Sequence, residues 1–250
     1  MSRLHSIAAV RTQVEAHLTG RTSTAFVGHV RPAMPTLPTG IEDIDRQIGG
    51  IPLGAITEPV ARRYTSSGQK SLQAQLLAHA TRERVCALVD ATDWFDPKSA
   101  QSMGVNLQRL LWVRCGGREM KALEQAFKCA DLLLQGSAGF GVIILDLAGS
   151  SPRYVRKIPL TTWFRFRGVI QKQETALVVS TPCSVTSTCS ELTLMLSAEH
   201  VRWSQTIDRG AAHTRVLAGF DFEADIARKR AFKKPVQPAS HRLLAYPRLA

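Results

Sequence analysis

The chain has 250 residues, 44% hydrophobic and 21% charged, which is enough apolar content for one large core and argues against wholesale disorder. Lysine and arginine number 32 against 20 aspartates and glutamates, and the resulting charge of +12 points to an acidic partner, either nucleic acid or an acidic protein surface. The opening "MSRLHSIAAVRTQ" lacks the apolar core of a signal peptide and no later run reaches 18 apolar residues, so the expected location is the cytoplasm, with no membrane partner. Five cysteines (Cys86, Cys115, Cys129, Cys183, Cys189) without a C-x-x-C pair, and histidines without ligand spacing, read as reduced thiols and no metal.

In chain order, Leu4, Ile7, Ala8, Val14 and Leu18 share one face of an amphipathic helix over 3–18, with Gly20 as its C-cap. Pro32, Pro35 and Pro38 then mark a linker. From there apolar runs alternate with helical patterns: "AITEPV" (55–60) and a helix over 70–82; "VCALVD" (85–90) and a helix over 98–103; "LLWVRC" (110–115) and a helix over 118–134; "GVIILDLA" (141–148) and a helix over 160–173; then "TALVVSTP" (175–182). Strands that are apolar at nearly every position are buried on both sides, which predicts an α/β fold with a mostly parallel sheet flanked by helices. Two longer runs at 192–205 and 214–226 have no helix between them and predict antiparallel strands at the C-terminal edge. The boundaries implied are an N-terminal helix and Pro-containing linker over 1–35, a core over 36–226, and a basic, flexible tail over 227–250. That tail carries Arg228, Lys229, Arg230, Lys233 and Lys234 and no acid.

"RRYTSSGQKSLQAQLL" (62–77) lies where a strand enters a helix, the place at which backbone N–H groups of an α/β sheet face a phosphate. A phosphate loop needs small glycines and a lysine that reaches the outer phosphate oxygens. Here the letters are displaced: Ser66, Ser67 and Gly68 are followed by Gln69, Lys70 and Ser71. Asp146, ending "VIILD", stands where an acid would hold Mg²⁺. In "TWFRFRG" (162–168) aromatics interleaved with Arg165 and Arg167 could stack bases and bind phosphates, but the spacing of Trp163, Phe166 and Ile170 favours a packing face with the arginines toward solvent. "GSAGFG" (136–141) precedes a strand and reads as a helix-ending turn, not a dinucleotide fingerprint.

The ordered landmarks "LPTGIEDIDRQIGGIPLGAITE", "SSGQKSL", "ALVDATDWFDPKSAQSMGVNLQRLLWV" and "VIILDLA" resemble the RecA-like core of P-loop NTPase type over roughly residues 37–205. Within that superfamily "RLLWVRC", "DLLLQG", "IPLTTWFRFR" and the basic C-terminus resemble the ImuA family of accessory proteins in bacterial mutagenesis cassettes. The resemblance implies a role in the DNA damage response, with an ImuB-type polymerase-like adaptor, an error-prone replicative-type polymerase and RecA itself as partners. It also shows what is missing. The recombinase lysine is Gln69, the Mg²⁺-binding hydroxyl is Lys70, and the water-activating glutamate is Thr92, which cannot act as a carboxylate base.

Losing one charge-assisted phosphate contact costs about 1.5–3 kcal/mol, and losing the base costs on the order of a hundredfold or more in rate. The expectation is therefore a pseudo-ATPase: no catalytic residues, no required cofactor, and at most weak binding of ATP with Mg²⁺ by Ser66 to Ser71 and Asp146. The stretch "STPCSVTSTCSE" (180–191), which corresponds to a recombinase DNA-holding loop, has no lysine or arginine. Contact with a partner or with DNA falls to Arg228, Lys229, Arg230, Lys233 and Lys234. Three other readings stay open: a divergent DNA-dependent ATPase using Lys70 with Asp146, a SulA-like inhibitor of cell division, whose core lacks a phosphate loop, and a plain DNA-binding accessory acting through its tail.

Overall fold

Each apolar run named above forms a strand in the computed structural model, which describes residues 34–62, 67–136, 139–203, 217–229 and 242–245; for 199–203, 217–220 and 242–245 only the backbone is described. The expected helix over 3–18 lies outside these residues. A two-residue pairing of β1 (Thr36–Leu37) with β2 (Ile51–Pro52) brackets helix α1 (Glu42–Ile48). The main units follow as β3 (Ile56–Ala61), α2 (Gln69–Ala80), β4 (Val85–Asp90), α3 (Pro97–Ser102), β5 (Leu110–Arg114), α4 (Glu119–Gln135), β6 (Phe140–Asp146), α5 (Pro152–Val155), α6 (Leu160–Ile170) and β7 (Ala176–Ser180). Strands β8 (Leu192–Trp203), β9 (Leu217–Lys229) and β10 (Arg242–Ala245) complete the sheet.

The strand order is β10-β9-β8-β3-β7-β6-β4-β5. From β8 to β5 every neighbour is parallel, and β9 and β10 are antiparallel additions at the edge. The fold class read from the sequence is thus found.

Alternation along the strands divides the core in two. Cys86, Leu88, Val142, Ile144 and Val178 face α1, α2 and α3, whereas Ala87, Val89, Ile143, Leu145 and Val179 face α4 and α6. Trp163, Phe166 and Ile170 are fully buried on the second side, and Phe127 of α4 packs on Trp163 and Phe166 at ring separations of 5.3 and 5.9 Å. The aromatics of "TWFRFRG" are therefore core. Arg165 reaches Asp131 of α4 at 3.3 Å instead of standing free, and Arg167 donates to the Thr188 carbonyl at 3.5 Å.

α1 is an element the apolar pattern did not announce. It has only two buried residues, Ile44 and Ile48, and is set by polar contacts: Asp45 accepts from the backbone N–H of Thr39 (2.8 Å) and Gly40 (3.2 Å), and left-handed Gly49 ends it. At the other end of the chain, the boundary expected at 226 falls inside β9. Arg228 and Lys229 continue the strand because Thr193 and Leu192 of β8 pair with them, and β10, within the expected tail, pairs with Glu223 to Phe220. Among the described residues no helix is long and apolar enough to cross a membrane.

Burial pushes the Cys86 and Cys115 thiols from 9.0 up to about 11. A raised folded-state value favours the protonated thiol, so this contribution to stability is complete below pH 9 and fades as pH climbs toward 11. Both thiols are expected to resist iodoacetamide at pH 8 until the chain is denatured, and the urea midpoint should fall between pH 9 and 11 by less in a Cys86→Ala/Cys115→Ala variant than in the parent.

Candidate functional site

The carboxyl ends of the central strands lie level with one another: Asp90 pairs with Arg114 on one side and Asp146 on the other, and Asp146 pairs with Ser180. This is the edge at which an open α/β sheet receives ligands. α2 begins on this edge after Gly68, whose φ of 84° is left-handed. A Cβ there would lie 2.4 Å from the ring of Phe222, a buried β9 residue that closes over the loop. Only glycine meets both demands.

Of the expected site residues, Ser66 lies outside the described residues, and Ser67, Gln69 and Ser71 are buried. Gln69 does not face a phosphate. Its amide nitrogen donates to the carbonyls of Pro59 and Thr181, both at 2.8 Å, and its oxygen accepts from the Ser67 hydroxyl at 3.1 Å. The cause lies in β3. Pro59 sits in an interior strand without an N–H to donate, so the β3–β7 ladder stops after Thr57↔Val178 and resumes only as a single bridge, Val60↔Thr181. The Gln69 amide fills that interruption.

Among the described residues of the loop, Lys70 is the cation that reaches the strand tips. Its ammonium is hydrogen-bonded to Asp146 Oδ2, while Oδ1 of the same carboxylate accepts from the N–H of Ala148 at 3.2 Å. Asp146 is fully buried and the Lys70 side chain is 40% exposed. The carboxylate that would hold Mg²⁺ holds an ammonium. These residues therefore fit Mg²⁺-nucleotide poorly: a metal at Asp146 would first have to displace Lys70, and no lysine stands at the phosphate-contacting position.

At the second strand tip both carboxylates are engaged. Thr92 donates from its N–H to Asp90 at 3.1 Å, and Asp90, fully buried, also takes the Phe95 N–H at 2.9 Å, so this carboxylate is spent in holding its own turn. Asp93, at a φ of 57°, points away into a two-point pair with Arg114, 2.7 Å on each oxygen. The Arg114 hydrogen bonds hold the Asp93 carboxyl below the usual carboxylate range. Beside α2 a cavity of about 190 Å³ is lined by Lys70, Gln73, Trp94, Phe95, Ser99 and Met103.

Glu58 is the site residue the sequence reading missed. Fully buried in β3, it accepts from the N–H of Val185 (2.7 Å) and Thr186 (3.0 Å) and from the hydroxyls of Thr186 (2.7 Å), Ser184 (3.0 Å) and Thr181 (3.4 Å). The stretch 181–186 is thereby wound around one carboxylate. Its far end is held from outside, since Arg228 donates to the Ser187 carbonyl at 2.5 Å and Arg167 to that of Thr188. Lys229 donates to the Ile48 carbonyl at the end of α1 at 2.6 Å. Arg230, Lys233 and Lys234 lie outside the described residues.

A protein-family model for the RecA N-terminal domain matches residues 6–154, more than half of the chain. The chain belongs to the RecA N-terminal domain family. It is 31% identical over 156 residues to Protein RecA of Marinobacter nauticus, covering 61% of this chain and 43% of that protein. Its identity to Protein RecA of Pseudomonas putida is also 31% over 156 residues, covering 61% of this chain and 42% of the relative. The chain thus spans under half the length of these two RecA proteins.

Proposed function

We propose that this RecA-type chain is a non-catalytic accessory protein of the ImuA kind, a scaffold in damage-induced mutagenesis and translesion DNA synthesis. Its partners on this reading are an ImuB-type adaptor, an error-prone replicative-type polymerase and RecA, and its basic C-terminal residues, Arg228 to Lys234, offer contact to a partner or, non-specifically, to DNA. The observation that carries the non-catalytic part is the pair of rewired side chains: Gln69 folded back onto Pro59 and Thr181, and Lys70 seated on Asp146. With Thr92 at the base position, this rewiring supports a reading in which the phosphate contact, metal seat and base of hydrolysis are lost. The narrower assignment rests on the segment likeness of "RLLWVRC", "DLLLQG" and "IPLTTWFRFR".

Two measurements test the two parts. Calorimetric titration with ATP and Mg²⁺ is expected to show weak or no binding, and the purified protein no release of phosphate with or without single-stranded DNA; Lys70-dependent turnover would establish the divergent ATPase instead. A deletion strain is expected to lose mutations induced by ultraviolet light, and an unchanged induced frequency would remove the cellular role. Filamentation of undamaged cells on overproduction would favour the division inhibitor.

A further inference from the structure

Between Asp146 and Glu174 the chain has no acidic residue and six basic ones: Arg153, Arg156, Lys157, Arg165, Arg167 and Lys172. Arg153 lies in α5 and Arg165 and Arg167 in α6, and all but Arg153 lie beyond residue 154, where the family match ends. α6 buries Trp163, Phe166 and Ile170, but on its outer side Leu160 and Phe164 are each 50% exposed. They stand one turn apart, as neighbours on a helix surface, and the next position of that row is Gly168, where a Cβ would meet nothing within 4 Å. The row is an apolar ridge with a flat end, and half of a phenylalanine and half of a leucine remain in water on it.

The charges around it are unevenly committed. Arg165 is paired with Asp131, and Arg167 is bonded to the Thr188 carbonyl. Arg153, Arg156 and Lys157, all exposed, sit just before Leu160; Arg153 and Lys157 lie over the Tyr154 ring at 5.8 and 5.7 Å. A cluster of cations beside two exposed apolar side chains at helical spacing has the complement of an acidic amphipathic helix. Single-stranded nucleic acid fits less well: it uses several rings on which successive bases stack and a groove that follows the backbone, whereas this ridge offers one ring, an aliphatic neighbour and a convex surface.

We propose that the outer face of α6 docks an acidic amphipathic helical segment of a partner protein. Its apolar side chains rest on Leu160 and Phe164, its backbone approaches closely at Gly168, and its carboxylates meet Arg153, Arg156 and Lys157. α6 packs on the half of the core opposite α2, so this face is on the other side of the sheet from the α2 helix.

The test uses the full chain and fluorescence anisotropy with three labelled probes: an 18-residue glutamate-rich peptide with leucine and phenylalanine at helical spacing, the same composition in scrambled order, and an oligothymidine. The patterned peptide is expected to bind about tenfold more tightly than the scramble, and Leu160→Ala/Phe164→Ala and Arg156→Glu/Lys157→Glu to weaken it by about tenfold each while leaving the denaturation midpoint near that of the parent. Equal binding of the two peptides, or an affinity that neither double variant changes, overturns the proposal. Oligothymidine binding that the same variants abolish, with no preference for the patterned peptide, assigns the face to nucleic acid instead.

Discussion

Glu58→Ala is expected to lower the stability of the core by roughly 4 kcal/mol, the largest effect of any single substitution considered for this chain. One carboxylate without solvent exposure receives two backbone N–H groups and three hydroxyls. Each bond to an ionised acceptor contributes about 1.5–3 kcal/mol, and the total is discounted because Ser184 and Val185 are near enough to solvent to be rehydrated. Thr186 is fully buried and cannot be. Glu58→Gln keeps the shape, leaves a carbonyl oxygen for the Val185 and Thr186 N–H groups, and sets its NH₂ against the Ser184 and Thr186 hydroxyls, which can turn to accept, so it should cost well under half as much. Guanidinium denaturation measures both, and amide exchange at Val185 and Thr186 separates local from global loss. An alanine variant within 1 kcal/mol of the parent, taken as roughly the size of one ordinary hydrogen bond, would show that the carboxylate does not organise this segment.

The legible part of the fold was the part governed by burial. "VCALVD" and "GVIILDLA" are apolar at almost every position because β4 and β6 are interior strands covered on both sides, and the structure places them at Val85–Asp90 and Phe140–Asp146. α1 was not legible, because a seven-residue helix held by the Asp45 carboxylate has almost no period to read. In the site, the letters of the loop told which groups were missing but not where their replacements point. Gln69 turns inward on account of Pro59, ten residues away, and Thr181, 112 residues away. Glu58 did leave a signal: an acid inside an apolar strand must find donors, and the hydroxyl-rich stretch 180–191 is the richest supply in the chain. Composition alone makes the basic C-terminal segment a tail, whereas Arg228 and Lys229 belong to the ladder with β8.

Restoring the recombinase letter with Gln69→Lys is expected to lower stability by about 2–3 kcal/mol, or roughly 5–10 °C in Tm, without creating a nucleotide site. The Pro59 carbonyl would keep the Thr181 N–H at 3.1 Å, and the Thr181 carbonyl would keep the Ala61 N–H at 3.3 Å, so neither is wholly orphaned. What is lost is the amide that donates to both. A lysine that stays inward brings a charge into the space between β3 and β7, where the neighbouring groups are carbonyls and a hydroxyl; one that swings outward leaves the gap unfilled. In neither position does it dislodge Lys70 from Asp146 or supply a base at Thr92, so ATP affinity should not change with Mg²⁺. Gln69→Glu should be worse than lysine, because its carboxylate would face the Pro59 and Thr181 carbonyls with no donor between them. Denaturation curves for the two variants, run beside calorimetry with ATP, read the order directly. A Gln69→Lys protein as stable as the parent, and newly able to bind Mg²⁺-ATP, would mean that the inward turn of Gln69 is incidental and that the loop needs only its lysine back.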